Sequence, residues 1–592
     1  MTQNAVLQIL FYCIVLLLLV KPLGWYMAQV YLGKPYGLRW LKPLEKLFYR
    51  CSGVRAEVEM NWQHYAGALL MFNGVGFVFV FLIQLLQGYL PLNPAHLGAT
   101  TTDLAFNTAV SFVSNTNWQA YSGETTMSYL TQMLALAVQN FLSAATGMAV
   151  LIALIRGLKR KQTRELGNFW VDMVRSTLYI LLPLSIVFAV LLASQGVIQN
   201  FKAYQTTHLL QPTHYQLVST DAAGHHTAQT LALTQQTIPL GPVASQVAIK
   251  QLGSNGGGYF NVNSAHPYEN PTPISNFLEM LALLLIPAAL CYTFGFMVGD
   301  KRQGWAILSV MFIIFIPLVF ATVVSEQHGN PSLTKLGISA VAQNNLYPGG
   351  NMEGKETRFG IANSALWATA TTAGSNGSVN SMIDSFTPVG GLIPLWLMHL
   401  SEVVFGGVGS GLYGMLIFVI VTVFIAGLMV GKTPEYLGKK IEAYEMKIAA
   451  WIVLIMPATV LLLTAIAVLN KSAAAAVGNP GAHGFTEILY AFTSMTNNNG
   501  SAMTGLNANI PFYNLLGGVA MLIGRYAIAI PVLMLAGSLA QKKVLAHNAG
   551  TLPTHNLLFI VMLVVVIIIV GALTFLPALA IGPIVEQLQM LA

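Results

Sequence analysis

The chain has 592 residues, of which 55% are hydrophobic and only 8% are charged, and its formal net charge is +7. A soluble globular domain carries about 25% charged residues, so this composition excludes a soluble protein and indicates a polytopic membrane protein. The three cysteines are scattered and form no CxxC pair, which predicts neither a disulfide framework nor a zinc site.

Ten hydrophobic runs are long enough to cross a bilayer, which takes about 20 residues. The first run lacks a basic n-region and a cleavage site, so we interpret it as a spanning helix and not as a signal peptide. The seventh is too long for one simple crossing, and the glycine-rich stretch 405–411 interrupts it. In chain order the predicted spans are 5–24, 63–88, 127–155, 175–195, 275–298, 305–324, 388–430, 449–469, 512–540 and 556–580.

Basic residues fall mostly on one side of these spans. Five loops on that side hold 21 of the 28 Lys and Arg residues: 21–55, 156–175, 301–302, 432–447 and 542–543. By the positive-inside rule this side is cytoplasmic, and ten spans then place both termini outside. The polar loop 196–245 is expected to be an external elaboration. The positive charge is thus explained by orientation, and we expect no nucleic-acid binding.

A short polar motif occurs four times, always on the predicted outer side. Three copies read Ser/Asn-Asn-Gly, and each copy follows a short helix-like stretch and precedes a long hydrophobic run. One such turn is ordinary, but four at equivalent places indicate a ring of backbone carbonyls that replaces the water around a cation. The predicted filter residues are Ser114, Asn115, Thr116, Asn117, Ser254, Asn255, Gly256, Gly257, Ser375, Asn376, Gly377, Ser378, Asn498, Asn499 and Gly500.

The segment before each motif predicts a re-entrant half-helix. Thr102, Asn363 and Thr486 are residue types that favour an N-cap, and about 12 residues separate each from its motif, too few to span a bilayer. A half-helix that ends at this depth directs the negative end of its dipole to the pore, which favours a cation. The predicted fold is all-α, with ten transmembrane helices and four pseudo-repeats of helix, pore loop and helix around a central filter.

These repeats divide the chain into six predicted units. They are the first helix with a cytoplasmic loop (1–62), repeat 1 (63–155), repeat 2 with its external loop (175–298), repeat 3 (305–430), repeat 4 (449–540) and the last helix (556–592).

The chain resembles the potassium-binding component, KdpA, of the bacterial Kdp-type potassium-transporting ATPases, from a superfamily with four pseudo-repeats around one filter. The resemblance covers essentially the whole chain and is carried by segments 115–119, 251–260, 372–377 and 496–500. It implies that K⁺ is bound from outside and passes through an intramembrane tunnel to the P-type ATPase component, KdpB, for high-affinity uptake. It also implies KdpC and the small KdpF protein as partners, in the lipid of the bacterial inner membrane.

Two copies depart from the common motif. When the four copies are aligned on their Ser-Asn or Asn-Asn pair, the first has Thr116 where the others have glycine, so the predicted ring is not fully symmetric. The second copy has three successive glycines, Gly256 to Gly258, and is expected to be the most mobile.

Residues beside the filter allow two interpretations each. Gln119 tunes the field or braces the loop, and bracing is slightly favoured. Arg525 lies inside a span. It is interpreted either as a fixed charge that blocks leakage or as a structural side chain that forms a salt bridge or snorkels. A charge at this depth is usually functional, which favours the first interpretation. The glycines Gly406, Gly407 and Gly409 form a gating loop below the filter or a close-packing patch.

The chain contains no Asp-Lys-Thr-Gly phosphorylation motif, and the P-loop-like stretch 427–433 has the wrong spacing. We therefore expect no cofactor here, with ATP and Mg²⁺ on a partner that hydrolyses ATP. The favoured function is the ion-selecting, non-hydrolytic subunit of a pump. One alternative is a self-sufficient potassium channel or symporter of the same superfamily. Another is a transporter of organic solutes, for which we would expect inverted repeats; the repeats of this chain all keep one orientation, which argues against it.

Overall fold

The computed structural model describes residues 1–220, 226–339, 341, 349–545 and 552–592. Parts of the predicted loop 196–245 (221–225) and of repeat 3 (340 and 342–348) therefore lie outside the described residues. Within them, ten helical stretches are long and apolar enough to cross a membrane, which confirms the predicted number of spans. They are Gln3–Tyr31, Trp62–Tyr89, Thr131–Lys159, Phe169–Ser194, Pro273–Val298, Lys301–Lys335, Ser410–Val430, Ala443–Leu469, Pro511–Gln541 and Leu557–Leu591.

The described α-helices are α1 (Gln3–Tyr31), α2 (Lys42–Cys51), α3 (Trp62–Leu86), α4 (Thr102–Val113), α5 (Gly123–Thr126), α6 (Val138–Lys159), α7 (Phe169–Arg175), α8 (Leu182–Ser194), α9 (Val243–Leu252), α10 (Pro273–Val298), α11 (Lys301–His328), α12 (Pro331–Lys335), α13 (Gly360–Ala373), α14 (Pro388–His399), α15 (Ser410–Val430), α16 (Ala443–Leu469), α17 (Lys471–Ala474), α18 (Ala482–Thr496), α19 (Pro511–Gln541), α20 (Leu557–Leu579) and α21 (Val585–Leu591). Short π-helical stretches are Thr131–Ala137, Ser176–Leu181 and Ala580–Ile584, and 3₁₀ turns are Arg39–Leu41, Gln87–Tyr89, Asn263–Ala265 and Ile383–Ser385. The strands are β1 (Gln205–Thr220), β2 (His226–Ile238), β3 (Glu435–Tyr436) and β4 (Lys439–Lys440).

The spanning helices form an inner and an outer group. In the apolar windows of Thr131–Lys159 and Pro273–Val298, 83% of the residues are buried, whereas only 22% are buried in Leu557–Leu591. Because lipid is itself apolar, an outer helix can leave Leu, Ile and Val side chains exposed without penalty. The chain thus builds a buried centre and surrounds it with helices that face lipid.

Four half-helices, α4, α9, α13 and α18, lie inside this centre and have 12, 10, 14 and 15 residues. Their extensive burial explains why small and apolar residues cover most of their surface. The predicted N-caps Asn363 and Thr486 are wrong, because both lie inside their helices and bond to the carbonyl four residues earlier, at 3.1 and 2.9 Å. Thr102 is likewise the first helical residue of α4, and Thr101 is its N-cap.

The predicted seventh span, 388–430, is not one helix. It consists of the short helix α14, an irregular loop from Leu400 to Gly409, and the spanning helix α15. Ser401, Glu402, Phe405, Gly406 and Gly409 in this loop have positive φ values, which a continuous helix cannot contain. The glycine-rich stretch in the sequence therefore marks a real break in the predicted span. Only the second half of that span, helix α15, crosses the bilayer.

A β-hairpin is the main exception to the predicted all-α fold. Strands β1 and β2 pair antiparallel within loop 196–245, with Gln205 opposite Ile238, and a shorter pair joins β3 and β4. The sequences of β1 and β2 contain several Thr residues, which favour strands. Their polar and apolar residues alternate too irregularly for the sequence to predict these strands. We call the side of the molecule that bears this hairpin the hairpin side.

Candidate functional site

Four short segments follow the C-terminal ends of α4, α9, α13 and α18. In each, two residues that are two positions apart adopt a left-handed backbone conformation, with φ between 46 and 96°. The first position holds Asn115, Ser254, Ser375 and Asn498, and the second holds Asn117, Gly256, Gly377 and Gly500. We call these filter segments 1 to 4; each repeats the same left-handed pair after a half-helix.

This repeated pair corrects the alignment of the first copy. Three side chains of segment 1 donate hydrogen bonds of 2.9 Å to carbonyls of segment 2, always 139 residues away. The pairs are Asn115 with Ser254, Asn117 with Gly256, and Gln119 with Gly258. The alignment of Thr116 with the glycines is therefore wrong by one residue, because Asn117 takes that position. Asparagine tolerates a left-handed φ better than most residues, so segment 1 still differs from the others.

The four segments close into a ring. A Cβ atom on the second-position glycine of segments 2, 3 or 4 would collide with a carbonyl oxygen of the next segment. The pairs are Gly256 with Asn376, Gly377 with Asn499, and Gly500 with Thr116. With the hydrogen bonds between segments 1 and 2, these contacts join every neighbour in the order 1, 2, 3, 4 and back to 1. The backbones approach too closely for a side chain at these glycines.

Side-chain hydrogen bonds stiffen the ring. The Oδ1 atoms of Asn376 and Asn499 each accept a bond of 3.0 Å from the backbone N–H two residues on, which closes the turn of their own segment. Asn498 Nδ2 donates to the hydroxyl of Thr116 at 2.9 Å, and that hydroxyl also bonds Ser114 at 2.7 Å. Thr116 therefore belongs to the junction between segments 4 and 1.

Gln119 is bonded to segment 2 through both of its polar atoms. Its Oε1 accepts the N–H of Gly258 at 2.8 Å, and its Nε2 donates to the carbonyl of Gly258 at 2.9 Å and to the hydroxyl of Tyr121 at 3.1 Å. These contacts favour the bracing role over tuning of the field. They also oppose the mobility expected of the three-glycine segment.

A cavity of about 50 Å³ lies beneath the ring, lined by the first-position residues of three segments and by Glu402 and Arg525. A buried water needs about 10–15 Å³, so this space is large enough for a few waters. Arg525 is 4% exposed, and its Nη2 donates to the carbonyl oxygen of Ser143 at 2.8 Å. This hydrogen bond is to a backbone carbonyl and not to a carboxylate.

The loop between α14 and α15 packs directly under segment 3. The N–H of Gly406 donates to the carbonyl of Ala373 at 2.7 Å, and a Cβ on Gly407 would lie 3.5 Å from the side chain of Ser375. Gly409 lies against the backbone of Gly147 in α6. The loop is therefore both closely packed and placed where a gate would stand, so the two interpretations of these glycines remain open.

A polar cluster of Asp384, His483 and Glu487 lies at the start of α18, away from the ring. Its three ligand atoms lie within 4.8 Å of one another, which is close enough for one cation. Their hydrogen-bonding needs are already met, since His483 bonds Asp384 at 3.1 Å and Glu586 at 2.6 Å while Asn479 bonds Glu487 at 2.8 Å. Burial acts to lower the pKa of His483, but its two carboxylate partners outweigh burial and raise that pKa to about 10.

Two charged residues of the site were not singled out from the sequence. Glu402 is 4% exposed in the cavity wall, and its carboxylate lies near the side chains of Ser375 and Asn499. Lys250, in half-helix α9, is fully buried and donates to the carbonyl of Gly257 at 2.8 Å. A lysine seven residues before a filter glycine is a signal that a search of the half-helices could have found.

Comparisons with known proteins cover most or all of the chain. A family model described as the potassium-transporting ATPase A subunit matches residues 10–588. The chain is 63% identical over 592 residues to the potassium-transporting ATPase potassium-binding subunit of Sorangium cellulosum, and 62% identical over 590 residues to that of Herpetosiphon aurantiacus. Each alignment covers 100% of both chains. The crystal structure of the potassium transporter TrkH from Vibrio parahaemolyticus matches with a TM-score of 0.49 and 13% identity, over 87% of this chain and 96% of that one.

Proposed function

Since this chain belongs to the family of potassium-transporting ATPase A subunits, we propose that it binds K⁺ in the ring of filter segments and delivers it for ATP-driven uptake. The closed ring of four equivalent segments carries this proposal. The relatives are named as potassium-binding subunits of a potassium-transporting ATPase, which supports K⁺ as the ion and ATP hydrolysis as the energy source.

The physical argument concerns how a cation loses its water. Each half-helix ends at its filter segment, so four helix C-termini with their partial negative charge meet at one ring. Backbone carbonyls of such a ring replace the hydration shell of the ion without any charged ligand. Stiff segments keep the spacing of these carbonyls constant, and the cavity beneath receives the ion after it has passed.

The energy comes from another chain in this proposal. This sequence has no Asp-Lys-Thr-Gly motif, so ATP and Mg²⁺ belong to the P-type ATPase KdpB, which takes K⁺ from an intramembrane tunnel. KdpC and the small KdpF protein complete the assembly. The chain itself is the non-hydrolytic, ion-selecting part.

We place the complex in the bacterial inner membrane with the ring towards the outside and both termini extracytoplasmic. The support is the distribution of charge, because 21 of the 28 basic residues lie in the five segments predicted for the side opposite the hairpin. In this orientation the hairpin side faces the external solution, and the six predicted units follow the repeats of the ring.

Purification through a tag on this chain, followed by reconstitution in liposomes, tests the proposal. We expect a P-type ATPase chain to co-purify and the complex to accumulate K⁺ only when ATP is supplied. If the chain migrates alone and conducts K⁺ in liposomes without ATP, the proposal of an ATP-driven pump is contradicted and the alternative of a self-sufficient channel is supported.

A further inference from the structure

A buried ion pair stands directly behind filter segment 2. Lys250 and Glu269 are both fully buried, and the ammonium of Lys250 lies 2.5 Å from Glu269 Oε2. The same ammonium donates to the carbonyl oxygen of Gly257 at 2.8 Å. The other carboxylate oxygen of Glu269 accepts the N–H of Phe260 at 2.7 Å. One ion pair therefore holds two backbone groups on either side of Gly258, the carbonyl of Gly257 and the N–H of Phe260.

The other three repeats have a neutral hydroxyl at the position of Lys250. In segment 1 the equivalent residue is Ser111, whose Oγ donates to the carbonyl of Trp118 at 2.9 Å, again seven residues on. In repeat 4 it is Ser494, which accepts the N–H of Gly500 at 3.0 Å. In repeat 3 it is Thr371, whose hydroxyl has no hydrogen-bond partner among the described residues. Only repeat 2 therefore places a charge at this position.

The asymmetry coincides with the segment that most needs support. Gly256, Gly257 and Gly258 have no side chains of their own to hold the loop, and the first two have φ values of 77 and 68°. A charge-assisted hydrogen bond is roughly twice as strong as a neutral one, so an ammonium fixes the Gly257 peptide more firmly than a serine could. Glu269 neutralises the ammonium, which would otherwise repel a cation in the ring.

We propose that Lys250 and Glu269 are positioning residues that fix the carbonyl of Gly257 and thereby set the affinity and ion discrimination of the ring. This inference rests on the proposed function, because it assigns a role within the same filter. Neither residue touches the ion. Lys250 acts through the orientation of one peptide group, and Glu269 acts through Lys250 and the N–H of Phe260.

The chain offers a matched control in a second buried ion pair. Lys355 and Glu326 are 2.7 Å apart with fully buried side chains, as Lys250 and Glu269 are. The ammonium of Lys355 lies 4.2 Å from the centre of the Phe386 ring and 3.3 Å from the carbonyl of Glu353, and it contacts no filter carbonyl. A variant at Lys355 therefore reports what the loss of a buried ion pair does to assembly alone.

The experiment measures K⁺-dependent ATP hydrolysis by the purified complex, together with the ratio of its KM values for Rb⁺ and K⁺. For Lys250→Met we expect the KM for K⁺ to rise at least tenfold and the Rb⁺/K⁺ ratio to change, with the maximal rate kept within about twofold. Lys250→Arg, which keeps the donor and the charge, is expected to restore most of the affinity. Lys355→Met is expected to reduce yield or thermal stability without changing KM or the ratio.

The double variant Lys250→Met/Glu269→Gln guards against a folding defect, since it leaves no unpaired buried charge. We expect it to assemble better than Lys250→Met and to keep the raised KM. A wild-type KM and Rb⁺/K⁺ ratio in the double variant would overturn the inference while leaving the proposed function intact. Absence of any K⁺ dependence in the unmodified complex contradicts the proposed function instead.

Discussion

Gln119 and Gly258 are joined by two hydrogen bonds, one accepted by the side-chain oxygen at 2.8 Å and one donated by the side-chain nitrogen at 2.9 Å. The side chain of segment 1 thus satisfies both backbone groups of a glycine in segment 2. Because both of its polar atoms are engaged by protein groups, the side chain of Gln119 is held against segment 2, which favours the bracing role. The contact explains how the repeat without a second-position glycine is tied to the repeat with three glycines.

Replacement of this brace is expected to weaken ion binding. Gln119→Leu keeps the size of the side chain but leaves the N–H and carbonyl of Gly258 without partners, at a cost of about 1–3 kcal/mol. We expect the KM for K⁺ of the purified complex to rise roughly tenfold, as each 1.4 kcal/mol is a factor of ten. Gln195→Leu is the control, because Gln195 bonds Thr272 outside the filter. An unchanged KM in Gln119→Leu would leave the residue without a bracing role.

Glycine at the ring is expected to be irreplaceable. In Gly377→Asp the side chain collides with the carbonyl of Asn499, is strained by a φ of 86°, and adds a charge to the ring. The same argument holds for Gly256→Asp. We predict loss of growth at very low external K⁺, checked by complementation of a strain that lacks its own high-affinity uptake. Gly74→Ala is the control, since nothing lies within 4 Å of an added Cβ there. Normal growth of either Asp variant counts against the filter assignment.

The sequence predicted the spans and the four polar turns because both depend on local composition. Ten apolar stretches and four half-helices follow from residue types that occur side by side. The register of segment 1 could not be read in this way, since Ser-Asn occurs at both 114–115 and 254–255 but the backbone pairs Asn115 with Ser254. Only contacts between distant parts of the chain decide this pairing.

Charged residues of the site were missed for a related reason. Lys250 and Glu269 are 19 residues apart, and Glu402 meets Arg525, which the sequence did single out, only in the cavity wall. A lone Lys or Glu in sequence has no visible partner, so burial and pairing cannot be inferred from it. The predicted N-caps were wrong because Asn363 and Thr486 lie within their helices, where each side chain bonds the carbonyl four residues earlier.

The His483 cluster makes thermal stability depend on pH. Bonds to Asp384 and Glu586 raise the pKa of His483 from 6.5 to about 10 in the folded protein, so protonation favours the folded state. This contribution is complete below the unfolded pKa near 6.5 and is lost as the pH rises through about 10. Glu487, the third member of the cluster, adds a further acidic group.

We therefore predict that His483→Gln lowers the melting temperature of the detergent-solubilised protein at pH 7. The difference from wild type should shrink as the pH approaches 10 and vanish above it. The exposed His208 in the hairpin provides the control variant His208→Gln. A difference that is the same at pH 7 and above pH 10 would show that the imidazole acts through packing and not through its charge.

Arg525 is expected to keep K⁺ from leaking through the cavity. Its guanidinium is buried beside the ring and bonded to the carbonyl of Ser143 at 2.8 Å. A unit charge about 6 Å from K⁺ costs about 3 kcal/mol at an effective dielectric constant of about 20, which lowers ion occupancy roughly a hundredfold. Arg525→Gln removes this barrier but keeps a neutral hydrogen-bond donor on a shorter side chain. In proteoliposomes we expect passive Rb⁺ leakage and more ATP hydrolysed per ion transported, whereas Arg525→Lys, which keeps the charge, should stay close to wild type. Coupling that is unchanged in Arg525→Gln would assign the residue a structural role only, through the bond to Ser143.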